Sequence, residues 1–243
     1  MKKTTVLTST SSARHPLLLT ALATLWLVAL PNIPLWRQLT NLPEVTGLRG
    51  LLFGLGLACG IAGLTHALLS LLNWRWLLKP VLTVFLLSAA SGTYFMWSYG
   101  IVIDANMIVN VLQTDPREAA DLFNWRLLLS LGLLGVLPAW WLWRQPVCTI
   151  GALRRLGGNL LAFIASVVVL VISLMLIYQD FASVMRNHTQ LRYLINPLNS
   201  FYAIGRVVAQ PLERDNSKVE PIGQDAQLAL PAGTPPATLI VVV

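Results

Sequence analysis

The chain has 243 residues, of which 56% are hydrophobic and 11% charged, and its mean hydropathy is +0.67. Soluble domains carry roughly 25% charged residues, so a disordered chain, an ordinary soluble enzyme and a nucleic-acid-binding tail are all poor fits. The net charge of +7 reflects basic residues sorted to one side of a membrane rather than an affinity for nucleic acid, and Cys59 and Cys148 are too few for a disulfide framework or a zinc site.

A transmembrane helix needs about 20 mostly apolar residues, from a rise of ~1.5 Å per residue across a ~30 Å core. Five stretches qualify: Pro16–Trp36, Leu48–Leu72, Leu77–Tyr99, Arg126–Trp143 and Gly158–Tyr178. The first follows Lys2 and Lys3, as a signal peptide would. Its apolar stretch is longer than a signal core, however, and no small-x-small site follows before Trp36, which favours a retained span. The second carries Gly50, Gly54, Gly56, Gly60 and Gly63, a spacing that lets helices approach closely and favours packing within the chain over a dimer seam. His66, near its inner end, reads as a packed or interfacial residue.

With the N-terminus in the cytoplasm, the inner side holds Lys2, Lys3, Arg14, Arg75, Lys79, Arg144, Arg154 and Arg155 and no acid. All ten acids then fall outside. That bias sets the orientation, and five spans place the C-terminus in the periplasm. Trp36, Trp97 and Trp125 fall at outer ends, and Trp74, Trp76, Trp140, Trp141 and Trp143 at inner ends, where indole rings suit the headgroup level. Trp26, mid-span, breaks this pattern.

The loop between the third and fourth spans, Tyr99 to Trp125, is more than a linker. Asp104 can cap a short helix whose apolar Met107, Ile108, Val111 and Leu112 recur at helical spacing, ending near Gln113-Thr114. Asp115-Pro116-Arg117-Glu118 is a second start signal: an N-cap, a proline at the first helical position, and a glutamate placed to reach back to the cap. This second helix would run to about Phe123. Two short amphipathic helices on the outer surface are expected. Asn110, Thr114 and Glu118, four apart, would form a polar row on one continuous helix, but Pro116 opposes continuity. By spacing alone Glu118 completes a capping box, and Asn110 and Thr114 are solvated.

Beyond Tyr178 the chain leaves the membrane. Asn196-Pro197 reads as an N-cap and first helical residue. Phe201, Ile204, Val207 and Val208 then form an apolar stripe on a short helix lying at the outer leaflet, to about Gln210; a docked loop is equally consistent. Residues 211–236, rich in Pro, Ala, Gln and charge, read as a linker. Residues 237–243, Ala237-Thr-Leu-Ile-Val-Val-Val243, read as a buried strand with nothing left in the sequence to pair with, the first strand of an absent α/β domain. His15, His66 and His188 are too scattered to share a metal, and no Ser-His-Asp set, H-E-x-x-H or phosphate loop is present.

Leu78-Lys-Pro-Val-Leu82, the run Tyr99-Gly-Ile-Val-Ile-Asp104, the row Asn110, Thr114 and Glu118, then Asp180-Phe-Ala-Ser183, Arg186-Asn187 and Asn196-Pro197 together resemble the N-terminal membrane domain of lipid A phosphoethanolamine transferases. This is the family that includes the mobile colistin-resistance enzymes. The resemblance implies a five-helix domain in the bacterial inner membrane, with the orientation already derived from charge. It implies that Asn110, Thr114 and Glu118 help bind the donor phosphatidylethanolamine, as a carboxylate and two neutral hydrogen-bonding groups suit an ammonium headgroup. It also implies that the catalytic machinery lies beyond Val243, in an alkaline-phosphatase-like periplasmic domain. There a Gly-Glu-Thr sequence supplies a zinc ligand and the threonine nucleophile. No catalytic residue and no metal ligand is therefore expected in this chain, and zinc only in the full-length enzyme. The expected reaction moves phosphoethanolamine to lipid A, lowering negative surface charge and weakening the binding of cationic peptides such as polymyxins. The alternatives are a transferase acting on another lipopolysaccharide group and a non-catalytic membrane scaffold or lipid-binding module. A transporter fits less well, since no charge lies deep in a span and no paired broken helices are evident.

Overall fold

The computed structural model describes residues 13–213, so the strand expected over 237–243 and nearly all of the linker before it lie outside the described residues. The described chain is almost wholly helical. Helix α1, Pro16–Ala29, starts with Pro16 in its first turn and with the His15 ring accepting the Leu17 N–H at 3.2 Å. Helix α2, Ile33–Thr40, follows after a bend of 45°. The continuous first span expected over Pro16–Trp36 is therefore broken. Pro31 has no N–H to carry the helix through, and Pro34 sits in the first turn of a new helix.

Helix α3, Gly47–Leu71, and α4, Leu78–Tyr99, are the second and third spans. Gly100, at φ +64°, ends α4 in the left-handed conformation that glycine adopts without strain. Two short helices follow, α5 (Ala105–Gln113) and α6 (Pro116–Asp121). The fourth span, α7, covers Trp125–Arg144 and includes a π-helical segment, Leu131–Val136. The fifth, α8, covers Ala152–Leu176 and so begins earlier than the expected Gly158. Helix α9, Tyr178–Asn187, a 3₁₀ segment, Thr189–Leu194, and α10, Leu198–Glu213, complete the described chain. Among the described residues four helices are long and apolar enough to span a bilayer, or five if the bent α1–α2 pair is one span.

The core has two ends. One cluster joins α1, α3, α4 and α7 through Leu19, Leu69, Leu82 and Leu142. The other joins α2, α3, α4 and the segment after α8 through Leu35, Phe53, Met96, Ile177 and Leu191. Phe201 of α10 reaches the first cluster, its ring 4.6 Å from that of Phe85. At the basic end, Lys79 donates to the carbonyls of Trp143 and Gln145, both at 3.0 Å. Three of the tryptophans expected at that interface pair with cations: Arg14 over Trp141, Arg144 over Trp140 and Lys79 over Trp143. At the opposite end, Arg49 grips Asp180 through two hydrogen bonds of 2.6 and 3.1 Å, and His188 meets Glu44 at 3.1 Å. Trp26 has its own explanation. Its indole N–H donates to the Leu134 carbonyl at 3.1 Å, inside the π segment. It satisfies a polar group within the membrane instead of marking an interface.

The glycines of α3 serve packing within the chain. A Cβ on Gly56 would lie 2.5 Å from the Ile177 side chain, and one on Gly63 would lie 2.8 Å from the Ser166 carbonyl. The approach of α3 to α8 at Gly63, and to Ile177 just beyond α8 at Gly56, depends on these missing atoms. His66 strengthens the same seam, its Nδ1 being 2.7 Å from Ser166 Oγ and its Nε2 3.5 Å from Thr20 Oγ1. Gly63→Val is expected to destabilise the domain by about 1–3 kcal/mol, because the clash is with backbone that cannot swing aside. Unfolding in mixed detergent–dodecyl sulfate micelles measures it, and an unchanged midpoint would remove this seam as a source of stability.

Candidate functional site

The loop between α4 and α7 is built by local capping. Asp104 Oδ1 accepts the Met107 N–H at 2.8 Å and starts α5; Asp115 Oδ1 accepts the Arg117 N–H at 2.8 Å and starts α6. Thr114 lies between them in extended conformation, and its hydroxyl donates to the Asn110 carbonyl at 2.7 Å. The structure thus joins Thr114 to Asn110, while Glu118 stands on a separate helix beyond the break. The single polar row on one helix does not form, for the reason Pro116 supplied. The capping box does not close either: among the described residues, no hydrogen bond links the Glu118 carboxylate to the Asp115 N–H. Asn110 and Glu118 are exposed and Thr114 is half-buried. Leu112 and Phe123 flank them, 72% and 69% exposed, in keeping with a loop lying at a lipid surface.

Polar residues inside the bundle hold this loop. Asn124 caps α7 by accepting the Leu127 N–H at 3.0 Å, and donates to the Tyr94 hydroxyl at 2.5 Å. Asn199 donates to the carbonyls of Ile103 and Tyr193, pinning the residue before Asp104 to the segment after α8. Asn196 is 1% exposed and does not act as a helix cap. Its Nδ2 donates to the Ala89 carbonyl at 2.6 Å, with Thr93 Oγ1 at 3.1 Å. Its backbone N–H and C=O bond to the side chain of Asn32, at 2.9 and 2.7 Å. The break in the first span, α4 and the chain leading into α10 therefore meet at two buried asparagines. The capping interpretation of Asn196 failed because tertiary acceptors captured a side chain that local preference assigns to a helix start. The available signal was an asparagine, Asn32, isolated between two prolines in an apolar run, where a polar side chain must find partners.

Cys59 and Cys148 are both free, and Cys148 Sγ lies 2.9 Å from the Ala13 carbonyl. His15 precedes α1, His66 lies within α3 and His188 follows α9. Among the described residues no three His, Cys, Asp or Glu side chains come together in a way that could hold a metal ion.

These features define a multi-pass α-helical membrane domain with a capped, polar loop at the end of the bundle opposite its basic face. Residues 61–212 match the family model described as phosphoethanolamine transferase EptA/EptB, and the chain belongs to that family. It is 31% identical over 205 residues to the phosphoethanolamine transferase EptA of Escherichia coli K12, an alignment covering 80% of this chain and 36% of that protein. It is 28% identical over 236 residues to the phosphatidylethanolamine transferase Mcr-2 of Escherichia coli, covering 94% of this chain and 43% of Mcr-2. Among solved structures it resembles the integral membrane lipooligosaccharide phosphoethanolamine transferase A from Neisseria meningitidis, with a TM-score of 0.75 and 25% identity over 82% of this chain and 37% of that one. The chain thus spans well under half the length of these relatives and corresponds to their N-terminal membrane portion.

Proposed function

We propose that this chain is the membrane-anchoring, donor-presenting part of an enzyme that moves phosphoethanolamine from phosphatidylethanolamine to lipid A, conferring polymyxin resistance. The observation that carries this beyond family membership is the exposed outer loop. It carries an exposed carboxylate, Glu118, a few residues beyond Asn110 and Thr114, in the segment that the charge-derived orientation puts at the outer headgroup level. The carboxylate suits the donor's ammonium, and the amide and hydroxyl suit its phosphodiester and glycerol oxygens. The bundle's part is to fix that loop through Asn124, Asn199 and the Asn32–Asn196 pair. A donor held there is oriented and presented to a catalytic domain before any bond changes. Zinc, in this reading, works in that catalytic domain; the described residues here bring no ligand set together for it, and none of the steps assigned to this chain passes through a metal.

The test is thin-layer analysis of lipid A from cells lacking other transferases. The chain alone should leave lipid A unmodified. The chain joined to an alkaline-phosphatase-like domain should add phosphoethanolamine carrying label from phosphatidylethanolamine. Modification by the chain alone, or label arriving from another donor, would overturn the assignment.

The orientation belongs to the same proposal: inner membrane, N-terminus cytoplasmic, C-terminal end periplasmic. Green fluorescent protein fused before Met1 and alkaline phosphatase fused after Asp225 should both be active. An inactive phosphatase would refute an odd number of crossings.

A further inference from the structure

The basic end of the bundle contains a cavity of about 780 Å³ between the start of α1 and the first turns of α8. It is lined by the polar residues His15, Arg154, Arg155 and Asn159 and by apolar residues including Leu17 and Leu161. Arg155 is only 6% exposed. Its Nε and Nη2 donate to the backbone and side-chain oxygens of Asn73, at 3.0 and 3.4 Å, and those acceptors are neutral. Asn159 donates to the same Asn73 carbonyl at 2.9 Å.

A buried guanidinium normally has an anionic partner, because taking a charge out of water costs several kcal/mol. Among the described residues none is at hand. The ion pairs among the described residues, Arg49–Asp180 and His188–Glu44, both lie at the other end of the bundle. Arg155 also sits in the first turn of α8, beside Arg154. Gly151 gives that turn no side-chain cap, and there is no acid in it. The helix dipole therefore adds to the local positive potential instead of offsetting it. The two arginines at this helix start line a space that apolar side chains line as well. Gly157 lines this space, and a Cβ there would meet nothing within 4 Å.

We infer that this cavity is a binding site for an anionic phospholipid of the adjoining leaflet, with the headgroup phosphate at Arg154 and Arg155 and an acyl chain along Leu17 and Leu161. The ligand class follows from the lining: the arginines require an anion, and the apolar residues require that the anion carry a hydrocarbon chain. The site lies at the opposite end of the bundle from the outer loop, and it does not depend on the function proposed above.

The experiment is native mass spectrometry of the purified, delipidated chain, titrated with dioleoyl phosphatidylglycerol and, separately, with dioleoyl phosphatidylcholine. Phosphatidylglycerol should bind about tenfold more tightly. Gly157→Leu adds an apolar side chain to the lining without altering a charge, its Cβ meeting no neighbour within 4 Å, and should lower phosphatidylglycerol binding by about tenfold. Arg154→Gln should erase the preference for phosphatidylglycerol while leaving phosphatidylcholine binding unchanged. Size-exclusion profile and melting temperature verify that both variants fold. Equal binding of the two lipids, wild-type phosphatidylglycerol binding by a folded Gly157→Leu variant, or complete displacement of the lipid by millimolar inorganic phosphate would each overturn the inference.

Discussion

A transferase containing this membrane domain and carrying Glu118→Gln is expected to lose about 10- to 100-fold in turnover at unchanged membrane abundance, the loss anticipated for one charge-assisted hydrogen bond to the donor. The structure separates this from a stability effect. Asp115 caps α6 with its own side chain, through the Arg117 N–H. Glu118 contributes no hydrogen bond to that cap among the described residues, so removing its charge leaves the helix start as it was. Even loss of a cap would cost only about 0.5–2 kcal/mol of stability, without touching the chemistry. Asn110→Ala should also lower turnover, because it deletes the amide and keeps the carbonyl that Thr114 uses. Activity is read by transfer of labelled phosphoethanolamine at matched enzyme levels. Wild-type turnover in both variants would move the donor site away from this loop.

The spans were legible because hydrocarbon imposes one rule on every residue within it, and hydropathy reads that rule directly. Three span positions came within a residue or two: Gly47–Leu71, Leu78–Tyr99 and Trp125–Arg144. The early start of α8 was missed because Arg154 and Arg155 look like a loop to a hydropathy count. Arg155 is carried inside by Asn73, which lies far from it in sequence. The caps at Asp104 and Asp115 were legible because each depends on residues two or three positions away. The buried asparagines were not. Asn32 and Asn196 are 164 residues apart, and nothing local distinguishes a capping asparagine from one that joins segments so distant in the chain. The break after Ala29 belongs with them. Its prolines were visible, but the bend they cause matters only because Asn32 turns it into a binding point for a later segment. The residues proposed for the donor site, Asn110, Thr114 and Glu118, rest on residue type and family resemblance. Their arrangement on two helices rather than one depended on whether Pro116 or the four-residue spacing prevailed, and the proline did.

That buried junction gives the largest stability effect expected of a single side chain here. Asn32→Ala removes three hydrogen bonds: to the Leu27 carbonyl at 2.8 Å, to the Asn196 carbonyl at 2.7 Å, and from the Asn196 N–H at 2.9 Å. The Asn196 backbone groups would then be buried without partners, since the cavity left by the side chain is closed to water at 0% exposure. Orphaned buried groups cost about 1–3 kcal/mol each in water-soluble proteins, and interhelical bonds in membranes average about 0.6 kcal/mol, so a total of about 2–4 kcal/mol is expected. Thr93→Val is the comparison. Thr93 donates to the Pro31 carbonyl at 2.8 Å and accepts from Asn196 Nδ2 at 3.1 Å, and its loss should cost about 1 kcal/mol, because Asn196 Nδ2 keeps the Ala89 carbonyl and no backbone N–H is stranded. The order of the two effects tests the idea more sharply than either value. If the Asn32–Asn196 pair is the junction, Asn32→Ala must be the more destabilising in mixed-micelle unfolding. It should also loosen Asn199 from Ile103, and through that contact the start of α5, raising hydrogen exchange at residues 103–107 while leaving α8 unchanged. Equal destabilisation by both variants, with exchange at residues 103–107 unaltered, would reduce the pair to one more set of hydrogen bonds and detach the outer loop from the bundle beneath it.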